Sequence, residues 1–358
     1  MAPPLRQSFI VERQVTLTQP HRRSPEFEGI LSISCRRQVG KEVEIWPVVR
    51  RGLSLLLVCG AAMPVLRAAQ DLRPTFRASV DRVTLSATVR TGRGRPVTNL
   101  KTSDFQLYDS GQLRPIVEMR SDPTPVSLGL LVDFSGSMDV AERRQVARDN
   151  VRQLLDLLQP GVDSAGLFVF DKQFRALQPL APAPGDILAQ FDGISRPFGA
   201  TSLFDAIAET GRLLAARGGS RRAVVALTDG ADNASRLTPA EVSGIASSID
   251  VPVYIVIVIS PFDRDGKTPM DEAAYARLFE GPLANLAHWT GGEIYAGVGP
   301  QESGRAAQQI VAELRQQYLI AFEPDQRPGW HPIELRTTKS NLVVRTRSGY
   351  LVRAEPAR

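Results

Sequence analysis

From Phe76 onward the chain alternates apolar and polar residues. In "RASVDRVTLSATVRTGRGRPVTNLKTSDFQLYDSGQLRPIVEMRS", Val83, Leu85, Ala87 and Val89 fall on one face of a strand, and "TGRGRP" is turn-forming. "FQLYDSGQLRPIVEM" predicts a hairpin about Asp109, Ser110 and Gly111. Residues 70–122 are therefore expected to form a small antiparallel, sandwich-like β-domain. "SDPTP" closes it, since prolines disfavour helix and sheet interior alike. Beyond it the period changes. Near-continuous apolar runs at 126–134, 164–170, 222–229, 251–260 and 292–297 alternate with helical patterns. These are "AERRQVARDNVRQLLDLL", with Val146, Val151, Leu154 and Leu158 on one stripe, then "SLFDAIAETGRLLAA", "PAEVSGIASSI" and "YARLFEGPLANLAHW". Strands of this kind are buried on both sides, so residues 123–300 predict an α/β fold, a doubly wound and mainly parallel sheet covered by helices on both faces. One more helix, "SGRAAQQIVAELRQQ", and three strand-like runs, "YLIAFEP", "HPIELRTT" and "NLVVRTRSGYLV", fill 301–358. Those strands need partners, either in a sheet of their own or in the earlier β-domain. Contact with the β-domain is favoured.

The first 70 residues read differently. Arg50 and Arg51 precede "GLSLLLVCGAAMPVL", an apolar run followed by the small residues of "RAAQD". A membrane span needs roughly 20 apolar residues, and this run is shorter. Residues 48–69 are expected to be an export signal peptide, which directs the chain to the periplasm, the cell surface or the extracellular space. Residues 1–47 are polar, Arg-rich and without periodic apolar pattern, a disordered tail or an extension upstream of the true start.

Charge changes the picture only through where it lies. The formal net charge is +5, but ten of the 43 Lys and Arg and five of the 38 Asp and Glu fall within residues 1–69, leaving 33 of each for the remainder. The body is neutral, so nothing in its charge points to nucleic acid. Both cysteines, Cys35 and Cys59, also lie in the first stretch. A body without thiols holds a metal by oxygen or by histidine.

The chemistry gathers at "LLVDFSGSMD", where an apolar strand ends in three oxygen-bearing side chains at alternate positions, Asp133, Ser135 and Ser137. In an open α/β sheet, ligands bind beyond the carboxyl ends of the strands. Two other segments are expected to reach that end, "GATSLFDA" with Thr201 and "LTDGAD" with Asp229. Together these are hard oxygen donors, suited to Mg²⁺, or to Mn²⁺ or Ca²⁺, rather than to a soft metal.

"DFSGS", a Thr at the head of a later helix and the Asp of "TDG" resemble the metal-ion-dependent adhesion site of von Willebrand factor type A domains, with the likeness covering about 123–300. "GRPVTNLKTSDFQLYDSGQLRPI" and "LRQQYLIAFEP" on either side are similar to a bacterial subfamily of exported type A-related proteins. The resemblance implies that Ser135, Ser137 and Thr201 coordinate the ion, with Asp133 and Asp229 close by or acting through water. It implies further that a Glu or Asp of a protein partner completes the shell. No small-molecule substrate is indicated.

Other readings stand beside it. Asp133, Ser135 and Ser137 alone would serve equally as backbone caps at a strand-to-helix turn. Asp205 is expected to stabilise the first turn of its helix, Asp232 to be a loop or capping residue, and "FDRDGK" at 262–267 a solvated turn. His21, His288 and His331 are isolated. A magnesium phosphohydrolase with Asp133 as nucleophile is the rival, but it wants a second carboxylate where Ser135 stands. No nucleophile elbow, phosphate loop or zinc-protease motif is present, so the chain is not expected to be an enzyme. A metal that merely stiffens the loops is the third reading.

Overall fold

The computed structural model describes residues 82–352, apart from 183–184, 195–198, 220 and 265–271. The expected N-terminal extension, the export signal and the first residues of the β-domain lie outside the described residues. In chain order the elements begin with β1 (Val83–Thr91), β2 (Phe105–Asp109), β3 (Gln112–Arg114), β4 (Ile116–Arg120) and β5 (Ser127–Asp133). Then come α1 (Arg143–Asp156), β6 (Ser164–Phe170), β7 (Phe174–Ala181), α2 (Ile187–Asp192), α3 (Leu203–Ala216), β8 (Arg222–Thr228), α4 (Pro239–Ser248) and β9 (Val253–Val258). The remainder is α5 (Pro261–Arg264), α6 (Glu272–Glu280), α7 (Pro282–Thr290), β10 (Ile294–Gly297), α8 (Pro300–Arg315), β11 (Tyr318–Phe322), β12 (Gly329–Thr337), β13 (Leu342–Thr346) and β14 (Gly349–Val352).

Six strands form a doubly wound sheet in the order β10-β9-β8-β5-β6-β7, parallel throughout except for β7. β5 is central, and its side chains alternate between two cores. Leu128, Leu130 and Val132 pack with Val151, Leu154, Phe191 and Ile310, so α1, α2 and α8 cover one face. Leu131 packs with Leu203, Ile207, Val242 and Leu286, so α3, α4 and α7 cover the other. Each such wholly buried aliphatic side chain stabilises the fold by about 1.5–3 kcal/mol. On the α3 face Gly129 allows a close approach, because a Cβ there would stand 2.6 Å from Leu214 Cδ1 and 2.9 Å from Thr210 Cγ2. The helix that follows Thr201 is thus pressed onto the strand that ends in Asp133.

The sequence reading did not include β7. It is an edge strand, half exposed and interrupted by Pro179, so it lacks the buried run that marks its neighbours. The single helical pattern read over 275–289 is two helices, broken at Gly281 and Pro282.

Two further sheets, β13-β1-β11-β4 and β14-β12-β2-β3, each draw strands from before β5 and after α8. Ala87 pairs with Tyr318 on one side of β1 and Thr346 on the other, and Leu335 pairs with Leu107. Leu85, Leu107, Tyr318, Ile320, Phe322 and Tyr350 fill the space between the sheets. Arg221 sits where the layers join, 2% exposed, donating to the carbonyls of Leu314, Arg315, Gln317 and Asp122. It thereby satisfies the C-terminal carbonyls of α8, which a helix cannot satisfy by itself.

Candidate metal centre

Asp133 is the last residue of β5 and 1% exposed. Its Oδ1 accepts the Ser135 backbone N–H at 2.8 Å and its Oδ2 accepts the Thr228 hydroxyl at 2.7 Å. No Lys or Arg side chain pairs with it among the described residues. Burial accordingly pushes its carboxyl up to about 6, against the hydrogen bonds from Ser135 and Thr228 and with a further push from the Asp229 charge. The hydroxyls of Ser135 and Ser137 lie 3.1 Å apart. They stand at the start of a short 3₁₀ turn, Gly136–Asp139.

The loop carrying Thr201 is stitched to both of its neighbours. Gly136 N–H donates to the Gly199 carbonyl at 3.2 Å on one side. On the other, Thr201 N–H donates to Asn233 Oδ1 at 2.8 Å, while the Thr201 carbonyl accepts from Asn233 and Ala234 N–H at 3.0 Å each. Thr201 is 2% exposed. Asp229 follows Thr228, the residue bonded to Asp133, and its chain turns at Gly230. That glycine has φ +90, and a Cβ there would also meet Leu278 Cδ2 at 2.5 Å. The three segments singled out in the sequence therefore meet at the carboxyl end of β5.

Three residues outside the expected donor set build this meeting point. Arg143, the first residue of α1, is 8% exposed and donates through Nε and Nη2 to the Asp263 carboxylate at 3.0 and 2.8 Å. Its Nη1 reaches the Ser137 carbonyl at 3.1 Å and Asp229 Oδ2 at 3.2 Å. One guanidinium thus ties together the loops after β5, β8 and β9. Ahead of it, Ala141 and Glu142 are consecutive left-handed residues, with φ 54 and 63. Such a conformation costs roughly 1–2 kcal/mol per non-glycine residue. Asp263 lies in the segment read as a solvated turn; it is instead 5% exposed and accepts the Ser260 N–H at 2.9 Å. Residues 265–267 of that segment lie outside the described residues. Asn233 is the third.

Asp232 is a capping residue, as expected, and Asp205, in the first turn of α3, also binds the β8–α4 loop. Asp232 Oδ1 accepts the Leu203 N–H at 2.9 Å, and Ser235 Oγ accepts the N–H groups of Phe204 and Asp205 at 3.0 and 3.3 Å. The first turn of α3 is thus capped from the β8–α4 loop, because its own N-cap, Ser202, makes no side-chain cap. Asp205 in return accepts the N–H groups of Arg236 and Leu237 at 3.1 and 2.9 Å. Asp232→Ala is expected to cost about 0.5–2 kcal/mol, the usual worth of a cap, and to weaken metal uptake by loosening Thr201. A denaturation curve and a metal titration of the variant check both effects.

The donor set fits a hard divalent cation: two buried carboxylates, three hydroxyls, and no thiol or imidazole among them. Among the described residues no group of three or more His, Cys, Asp or Glu gathers in a metal-holding arrangement. Any ion at this place therefore depends on Ser135, Ser137 and Thr201 as much as on acids.

The family model of the von Willebrand factor type A domain matches residues 128–231. No curated protein matches the chain. Among solved structures, an aerotolerance-related membrane protein from Bacteroides fragilis is 24% identical, with a TM-score of 0.40, covering 53% of this chain and 98% of that one. A von Willebrand factor type A protein from Catenulispora acidiphila is 12% identical, with a TM-score of 0.41 and coverage of 72% and 74%. Proximal thread matrix protein 1 from the mussel byssus, with a zinc-occupied MIDAS motif, is 17% identical, with a TM-score of 0.39 and coverage of 54% and 48%.

Proposed function

We propose that this chain, which carries a von Willebrand factor type A domain, is an exported protein-binding module that captures an acidic side chain of its partner in a divalent-cation-dependent way. The observation that supports this reading best is the buried Asp133 carboxylate, without a cationic partner among the described residues, beside the paired hydroxyls of Ser135 and Ser137. In this reading Ser135, Ser137 and Thr201 hold Mg²⁺, or Mn²⁺ or Ca²⁺, and Asp133 and Asp229 stand close behind. When bound, the ion supplies a positive field at the mouth of β5 that selects a Glu or Asp of a protein partner. Asp229 is held in place by Arg143, whose guanidinium it shares with Asp263.

The chain's own residues argue against Asp133 as a nucleophile. Both of its oxygens accept hydrogen bonds, and it is almost wholly buried. The apolar run at 52–66 supports export, which brings the module to partners of the periplasm or cell surface. Among the described residues no helix is long and apolar enough to cross a membrane.

Capture from a surface or periplasmic extract tests the function. Binding is expected with Mg²⁺ and is expected to vanish with EDTA and in Asp133→Ala, while phosphatase and peptidase assays stay blank. Turnover dependent on Asp133 would transfer the site to the phosphohydrolase reading. A metal that raises stability while capture ignores EDTA would make the ion structural.

A further inference from the structure

Two grooves flank the mouth of β5, one on each face of the sheet. The groove on the α1 side, of about 490 Å³, is lined by Met138, which follows Ser137, and by Asp139, Glu142, Arg144, Arg148 and Asp192 among others. Its cations are committed. Arg144 donates to the carbonyls of Phe191 and Ile194 at 3.3 and 2.8 Å and lies over the Phe134 ring, and Arg148 grips Asp192 through two bonds of 2.6 Å. Asp139 and Glu142 are exposed and form no ion pair among the described residues. This groove repels acids.

The groove on the α3 side, of about 420 Å³, has the opposite arrangement. It begins at Ser202, which follows Thr201, and is lined by Lys172, Phe174, Asp205, Glu209 and Arg236 among others. Here the acids are committed, Asp205 to the backbone of Arg236 and Leu237, and Glu209 to Arg212 at 3.3 Å. The Lys172 ammonium and the Arg236 guanidinium are exposed, with no ion pair among the described residues.

We infer that the partner segment that offers its acid to Ser135, Ser137 and Thr201 continues into the α3-side groove and sets a second acidic side chain between Lys172 and Arg236. The inference rests on the proposed capture of a partner acid and adds to it the partner's chemistry: an acidic peptide segment, excluded from the α1 side by Asp139 and Glu142. An extended chain advances about 3.3 Å per residue, so the span between the ion and the groove sets the spacing of the two acids along the peptide. Exposed charges act mainly through encounter and specificity and weaken in salt. Lys172 and Arg236 are therefore specificity determinants.

The test pans the full chain, in Mg²⁺ and in EDTA, against displayed random peptides carrying one fixed aspartate. Mg²⁺-dependent enrichment of a second Asp or Glu on one side of the fixed residue is expected. In Lys172→Glu/Arg236→Glu the preference at that position is expected to invert to Lys or Arg, and the wild-type consensus peptide to bind on the order of tenfold more weakly. Lys172→Gln/Arg236→Gln is expected to lose the preference without inverting it. Mg²⁺-dependent enrichment with no second acid, or with the same preference in the charge-reversed chain, overturns the inference and leaves metal-dependent capture standing. Absence of any Mg²⁺-dependent enrichment removes both.

Discussion

Glu313→Ala is expected to destabilise the folded body by about 3–5 kcal/mol, the usual consequence of leaving buried charge without its partner. Glu313 lies on α8 with its side chain 2% exposed, and its two oxygens serve four donors. Arg90 of β1 reaches one at 2.9 Å and Arg345 of β13 the other, while the hydroxyls of Tyr254 and Tyr295 donate from β9 and β10 at 3.2 Å each. Burial holds both tyrosines above their ordinary titration range, so they remain neutral donors. Without Glu313, two guanidinium groups share the one remaining acid, Glu293, which Arg90 contacts at 2.8 Å. Because this cluster joins the α/β layer to the strands of β1 and β13, the loss should appear in the global transition. For a chain of this size 1 kcal/mol shifts the melting temperature by roughly 2–4 °C, so a fall on the order of 10 °C is expected. Glu313→Leu/Arg345→Leu should recover part of it, since well-packed apolar groups replace a buried pair with little cost. A denaturant midpoint within 0.5 M of the parent chain, at an unchanged slope, would be too small a change for this account, given a slope of about 1–3 kcal/mol per M in urea.

Asp133→Asn carries two opposite effects, and their sign follows from burial. The Asp133 carboxyl titrates near 6 in the folded chain and near 3.8 when exposed, so the folded state holds this proton more tightly than the unfolded one. The cost of ionising it is absent below the unfolded value, grows between the two, and is complete above about 6. At pH 8 it is on the order of 3 kcal/mol, from roughly two pK units at 1.36 kcal/mol each. Asparagine keeps the shape without the charge. Its amide can face Thr228 Oγ1, which already accepts from Gly230 N–H at 3.1 Å, and its oxygen can keep the Ser135 N–H. The metal-free variant is therefore expected to melt several degrees above the parent at pH 8 and to converge with it below about pH 4. Mg²⁺ should reverse the order. Ligand at a thousandfold excess over its dissociation constant adds about 4.1 kcal/mol to the parent, and the variant should gain nothing. Melting curves at the two pH values, with and without Mg²⁺, read both effects, and a parent chain indifferent to Mg²⁺ at pH 8 would remove the metal from this site.

The central sheet was legible because β5, β6, β8 and β9 are buried on both faces and read as unbroken apolar runs. β7 was not, since an edge strand with half-exposed residues carries no such mark. The three loops of the candidate site were legible because Asp133, Ser135, Ser137, Thr201 and Asp229 are oxygen donors at the ends of recognisable elements. Arg143 was illegible by the same local rules. A cation in the first turn of a helix opposes the helix dipole, and only Asp263 and Asp229, on two distant loops, account for its place. Asp205 and Asp232 show the same limit, since each accepts backbone N–H groups from the other's segment of the chain.

By itself the sequence determined the alternation of the buried strands with their long covering helices, the α/β class of the central layer, and the oxygen character of the mouth of β5. All three depend on residues near one another along the chain, through period, propensity and local composition. The tertiary structure alone decided that the terminal strands interleave in two sheets, that Arg143 binds three loops, and that Glu313 gathers two arginines and two tyrosines. Those outcomes turn on which charges and backbone groups are brought together and shut off from water, and the cost of leaving one unpaired appears only once the chain has closed around it.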